Sequence, residues 1–257
     1  MKIDSKVEKV VKNFGEDKFR TERVDLAAAF QWTAKLNMHE GVANHFSLAV
    51  SEDGNRFLIN PNQRHFSRIK ASDLLLLDAD DKEVLDQAEA PDPTAWGLHS
   101  PLHRICPHAR CAMHVHSTYS TVLACLKDKS LPPIDQNTAI FFNRVVIDED
   151  YGGLAFESEG ERCAKLFANS KGQVMIMGNH GILVVGKTVA ETFDRLFYFE
   201  RAVKTYILAL QTGRELTFIP DHIAEGVATS MEEYPHGSSH FEEIKRILDF
   251  EKSDFRL

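Results

Sequence analysis

The stretch QVMIMGNHGILVVGKTVAETFDRLFYFERAVKTYILALQTG, residues 173–213, leaves this chain little freedom in what it can fold into. Two apolar runs flank a tight GNHG turn and read as a pair of strands. The longest helix signal of the chain follows. Thr188 and Glu191 form a capping box. Val189, Phe193, Leu196, Phe197, Val203, Tyr206, Ile207 and Leu210 recur at helical spacing, and Gly213 closes the element. Apolar strands followed directly by a long amphipathic helix call for a sheet with helices packed on it.

The rest of the chain repeats that alternation. RTERVDLAAAFQWTAKLNMHEG reads as an amphipathic helix through Val24, Ala27, Ala28, Phe30, Gln31 and Ala34, with Gly41 beyond its end. NHFSLAV and NRFLINP are short strands around the turn SEDG, and LLLLD is a buried strand. PTAWGLHSPLHRI is a helix that Pro101 is expected to interrupt or restart, since an interior proline costs roughly 3 kcal/mol. CAMHVHS is a strand, STYSTVLACL a short helix, NRVVIDED a strand and SEGERCAKLFANS a helix. Residues 1–20 read as a polar arm and residues 21–214 as one domain. Residues 215–257 read as an irregular extension with a final helix near 239–250, packing on the domain or on a neighbouring subunit.

Length and charge narrow the function classes. The 257 residues are 43% hydrophobic, enough for one large core, and the net charge of −8 with no basic block argues against nucleic acid. No apolar run of about 18 residues suggests a membrane span, and the N-terminus lacks the apolar stretch of a secretory signal. The four cysteines form no CxxC pair and read as reduced thiols of a cytoplasmic protein.

Histidine is where the chemistry gathers: seven of the twelve fall between His45 and His116. His114 and His116 are two apart on a strand, so both rings share one face, as a metal site requires. Two half-buried strand histidines held by hydrogen bonds would give the same pattern. His180, in the GNHG turn, supplies a third ligand of a three-histidine site with an open position, or else caps a backbone group.

The segment from VDLAAAF to YILAL, near 190 residues, resembles the class II aldolase and adducin-like proteins. MHVHS and NHGILVVGKTVAETF…YFERA carry the resemblance. It implies a three-layer α/β/α sandwich with a mainly antiparallel central sheet. It also implies a divalent metal held by His114, His116 and His180, and a homotetramer with active sites at subunit interfaces. Zn²⁺ ranks first, and Mn²⁺, Co²⁺ and Fe²⁺ also suit imidazole. The departures are as informative. Family aldolases carry an acid/base glutamate just before a tryptophan; here Ala95 precedes Trp96. The small hydroxyl residues beside that glutamate are Pro93 and Thr94. The loops that approach a substrate phosphate read NHFS, Asn44–Ser47, and PNQ, Pro61–Gln63. A phosphorylated sugar is therefore not the expected substrate.

The expected activity is a metal-dependent lyase, decarboxylase or retro-aldolase, acting on a non-phosphorylated, anionic oxo- or hydroxy-carboxylate. A sugar-phosphate aldolase with an altered acid/base and a catalytically degenerate adducin-like scaffold are the alternatives. His45 and Arg64, in the altered loops, are candidates for binding the carboxylate, or are surface residues. His99 and His103, four apart on one helix face, are candidates for substrate binding and proton donation, or belong to an ordinary histidine-rich helix. Tyr151 and Tyr119 are candidate phenolic acids.

Overall fold

The computed structural model describes residues 18–87, 90–153, 157–234 and 236–257. The N-terminal arm thus lies almost wholly outside the described residues. The helices are α1 (Arg20–Lys35), α2 (Pro93–Ile105), α3 (Thr118–Ala124), α4 (Gln136–Ile140), α5 (Glu157–Ala168), α6 (Val189–Gln211), α7 (Asp221–Glu233) and α8 (His236–Phe250). The strands are β1 (His45–Ala49), β2 (Arg56–Ile59), β3 (Leu75–Asp78), β4 (Cys111–Val115), β5 (Val145–Asp148), β6 (Val174–Met177) and β7 (Gly181–Gly186).

The strands form one sheet in the order β3-β2-β1-β4-β7-β6-β5. It is a mixed sheet, which corrects the expectation of a mainly antiparallel one. The pairings from β3 to β6 are antiparallel, but β5 lies parallel to β6 at the edge. The reason is the connection: α5 intervenes between β5 and β6, and a crossover helix returns the chain in the same direction.

Strand alternation sorts the core into layers. Phe46 and Leu48 of β1, Cys111, Met113 and Val115 of β4, and Ile182 and Val184 of β7 face one side with α1, α6 and α8. Ala112 of β4 and Leu183 and Val185 of β7 face the other, against Leu98 and Leu102 of α2 and Cys163 and Phe167 of α5. Ala49 of β1 joins Phe57, Ile59, Leu75, Leu77, Ala95 and Trp96 on that second side. Period two then puts His45, Ser47 and His114 on the α2 face of the sheet.

Two local expectations change. First, α2 runs unbroken through Pro101. Pro101 removes the N–H that would have bonded the Gly97 carbonyl, and α5 presses against that gap. A Cβ on Gly160 would lie 1.9 Å from the Gly97 oxygen and 2.8 Å from Pro101 Cγ. Only glycine lets the two helices meet there, and its Cα–H faces the freed carbonyl. Second, the chain beyond residue 214 is not irregular, because α7 precedes α8. Helix α7 buries little besides Ala224 and Ala228. Arg144, before β5, anchors it, donating to Glu232 at 3.1 Å from both Nε and Nη2 and to Glu225. Phe241, Ile244, Leu248 and Phe255 of the last segment lie in the main core. Along α6, Leu210 of the sequence-derived stripe is exposed and Phe199 is buried instead. Thr188 Oγ accepts from Glu191 N–H, while the Glu191 carboxylate accepts from Lys187 N–H, one residue before the cap.

Candidate metal centre

His114 is buried in β4, one residue before its end, and His116 lies just past the strand; the β6–β7 turn brings His180 against them. One ring nitrogen from each lies within 4.8 Å of the others, and all three ring centroids are 4.8 Å apart. The turn fits closely: a Cβ on Gly181 would stand 2.6 Å from the Val115 carbonyl oxygen and 2.7 Å from His116 Cδ2. Asn179 adopts the left-handed conformation, φ 58°, and its N–H donates to Ala124 O at 2.9 Å.

The hydrogen bonds fix which nitrogens face one another. His114 Nδ1 donates to Ile182 O at 2.9 Å, and His116 Nδ1 donates to the exposed Glu40 carboxylate. In neutral rings both Nε2 atoms would then carry lone pairs, and they stand 2.9 Å apart. Two lone pairs at that distance repel unless a cation lies between them. His180 Nδ1 is buried and engages no group among the described residues. Burial pushes His180 down to about 4, helped by the neighbouring His116, and holds His114 well below the ordinary histidine value. Three imidazoles converging through ring nitrogens, one backed by a carboxylate, fit a divalent first-row metal.

Around this centre the remaining candidates separate. His45 pairs with His114 across β1 and β4, and its ring lies over His114 at 4.8 Å and 29°. Burial drives its pKa down to about 3. His99 and His103 project from α2 onto Ser47. His99 is completely buried behind His45, 2.7 Å from it, rather than at the open side of the centre. His103 bonds Ala109 O at 2.8 Å and Ser47 Oγ at 2.7 Å, so both its nitrogens are engaged inside the protein. Arg64 is paired with Asp73. Tyr151 is exposed, with its ring 6.0 Å from His180. Tyr119 lies under Lys204, its ring centroid 5.2 Å from the ammonium. The Ala95 methyl lies among Phe57, Ile59, Leu75 and Trp96.

Four residues at or near the centre have roles the sequence reading did not give them. Glu40 orients His116. Asn44 Oδ1 accepts the Glu40 N–H at 2.6 Å and holds that loop. Asp92 caps α2 by accepting from Thr94 N–H at 2.8 Å, and its charge acts on His45. Glu200 of α6, buried, accepts from Ser117 Oγ at 2.7 Å, Ser120 Oγ at 2.6 Å, Tyr119 N–H at 2.9 Å and Ser120 N–H at 3.0 Å. It thereby fixes the chain as it leaves the His114–His116 strand, which ties the YFERA stretch to the MHVHS stretch.

Comparison with known proteins agrees with this architecture. Residues 24–207 match the family model described as Class II Aldolase and Adducin N-terminal domain. A class 2 aldolase-like protein of Pseudomonas aeruginosa is 32% identical over 207 residues, covering 79% of this chain and 77% of its own. The decarboxylase NovR of Streptomyces niveus is 28% identical over 165 residues, 63% of this chain and 60% of its own. A crystal structure of an aldolase II superfamily protein from Pseudomonas syringae superposes with a TM-score of 0.84 at 28% identity, covering 96% of this chain and 99% of that one. Sequence and architecture together place this chain in the class II aldolase and adducin N-terminal family.

Proposed function

We propose that the protein is a metal-dependent carbon–carbon lyase acting on a non-phosphorylated oxo- or hydroxy-carboxylate. The observation that carries this reading is the convergence of ring nitrogens of His114, His116 and His180 within 4.8 Å of one another, with the Nε2 atoms of His114 and His116 2.9 Å apart. These three side chains would hold the ion, with Zn²⁺ ranked first and Mn²⁺, Co²⁺ or Fe²⁺ as alternatives. When bound, such an ion polarises a carbonyl or carboxylate and stabilises the electron pair left as a C–C bond breaks. Glu40 and Ile182 O keep His114 and His116 in the ligating tautomer. Position 95 favours decarboxylation over aldol cleavage: its side chain sits in an apolar cluster, and decarboxylation needs no base to remove a hydroxyl proton. The similarity to the decarboxylase NovR supports the same preference. Tyr151 is proposed as the proton donor, on its place beside His180. Assembly as a homotetramer with interfacial sites and a cytoplasmic location belong to the same reading; among the described residues no helix is long and apolar enough to cross a membrane.

The test is a panel of oxo acids and hydroxy-aromatic acids, with metal content measured on the purified protein and CO₂ and aldehyde release followed. One equivalent of metal and CO₂ release from a panel member are expected. A protein that retains no metal and cleaves nothing would favour a family scaffold without catalysis.

A further inference from the structure

A line of buried groups runs from a backbone carbonyl under α2 to the edge of the metal centre, and its hydrogen bonds have one direction. Ala109 O can only accept, so His103 Nδ1 carries the proton of their 2.8 Å bond. A neutral His103 then offers a lone pair at Nε2, and the Ser47 hydroxyl donates into it at 2.7 Å. With its only proton so used, Ser47 Oγ must accept from His99 Nδ1. His99 Nε2 is then a lone pair and accepts from His45 Nδ1 at 2.7 Å. The outcome is imposed on His45: N–H at Nδ1, lone pair at Nε2. His45, Ser47, His99 and His103 are each at most 4% exposed, so water does not compete along the line. Burial depresses the pKa of His99 and His103, which keeps both neutral as this direction requires. No group among the described residues engages His45 Nε2, and the ring that carries it lies over His114.

We propose that His45 Nε2 is a fixed hydrogen-bond acceptor in the site, so that the ligand recognised there presents a hydroxyl donor: a hydroxy acid rather than its ether or its bare carboxylate. His45 touches the ligand; Ser47, His99 and His103 are positioning residues that set its tautomer through one another. The inference rests on the lyase reading only for the carboxylate half of the ligand. It narrows the substrate to acids with a hydroxyl near the carboxylate, and it explains why a neutral histidine follows Asn44 in this loop.

The first measurement needs no variant. Imidazole ¹⁵N spectra of the Zn²⁺-reconstituted protein should show His45, His99 and His103 all in the Nδ1–H form. His45 as the Nε2–H tautomer or as imidazolium overturns the proposal, whatever the protein cleaves; absence of C–C cleavage with the expected tautomers overturns only the lyase reading. The second compares two probes, glycolate and methoxyacetate, by calorimetry on the same protein. Glycolate should bind at least about tenfold more tightly, since the ether leaves a buried acceptor unmade. The preference should vanish in His45→Leu, survive in part in His45→Gln, whose amide oxygen accepts, and weaken in Ser47→Ala while the His45 tautomer becomes mixed. Equal binding of the two probes, or an undiminished preference in His45→Leu, overturns it.

Discussion

His116 is held by a carboxylate that arrives from the loop after the first helix, and this contact sets how strongly the ring can bind a cation. Glu40 accepts from Nδ1, which raises the electron density at Nε2. Glu40→Gln keeps an acceptor but removes the charge. Zn²⁺ affinity should fall about 10–100-fold, the usual cost of losing such a partner. Competition with a chromophoric chelator measures it, and an unchanged affinity would separate Glu40 from the centre. Ala95 makes the opposite case. The residue aligned with the family's acid/base is wrapped by Phe57, Ile59, Leu75 and Trp96. Ala95→Glu would drive a carboxylate into that cluster with no partner, so a loss of at least about 2 kcal/mol is expected in denaturant unfolding. It should restore no aldol cleavage. A stable variant that releases aldehyde from a panel member would show that position 95 faces the substrate after all.

Among the elements, the junctions carry more of the site than the strands do. The β6–β7 turn can lie against β4 because residue 181 has no side chain. In Gly181→Ala the new methyl would meet the Val115 carbonyl and the His116 ring, and neither is the far end of a flexible chain. Destabilisation of about 1–3 kcal/mol is expected, together with weaker metal retention, since the clash pushes His180 and His116 apart. Thermal unfolding with and without Zn²⁺ reads both; a variant with native stability and full metal content would refute the argument. On the other side of the strand, Glu200 gathers four donors at the start of α3. Glu200→Gln turns an all-acceptor group into one that must present N–H to some of those donors. A loss of roughly 1.5–3 kcal/mol should follow.

At the level of the whole molecule, the buried histidines make stability depend on pH in one direction. Burial lowers the folded-state pKa of His103 to about 4 and of His45 to about 3, against an ordinary value of 6.5. The unfolded chain therefore takes up protons as pH drops below about 6.5, while the folded chain does not. Stability is full above that pH and falls progressively towards 4 for His103 and towards 3 for His45. His103 alone should account for a loss on the order of 3 kcal/mol over its window. Metal-free protein unfolded in urea between pH 8 and 5 should show the decline. His103→Gln can keep both bonds, to Ala109 O and from Ser47, without titrating, so its stability curve should be flatter by up to about 1.4 kcal/mol per pH unit. Curves of equal slope would show that His103 is not held neutral.

The sequence alone determined what depends on near neighbours. Strand periodicity was enough to set His114 and His116 on one face, and the glycine-flanked turn was enough to mark His180 as able to approach them. The long helix after β7 was legible from its cap and stripe, because each residue's burial there follows from 3.6-residue geometry. Helix α7 was not legible, because Ala224 and Ala228 are too small a buried stripe and its anchor, Arg144, lies some 80 residues away. Pro101 misled for a related reason: the cost of an interior proline is local, but the Gly160 contact that accommodates it comes from another helix. Only the tertiary structure decided the roles of Glu40, Ser47, Asp92 and Glu200, and the partners that engage His103 and Arg64. A side chain's chemistry is set by the donors, acceptors and charges that surround it. When those come from segments 50 to 80 residues distant, no local pattern encodes whether a histidine will be a cation, a ligand or an acceptor with its proton locked on the far nitrogen.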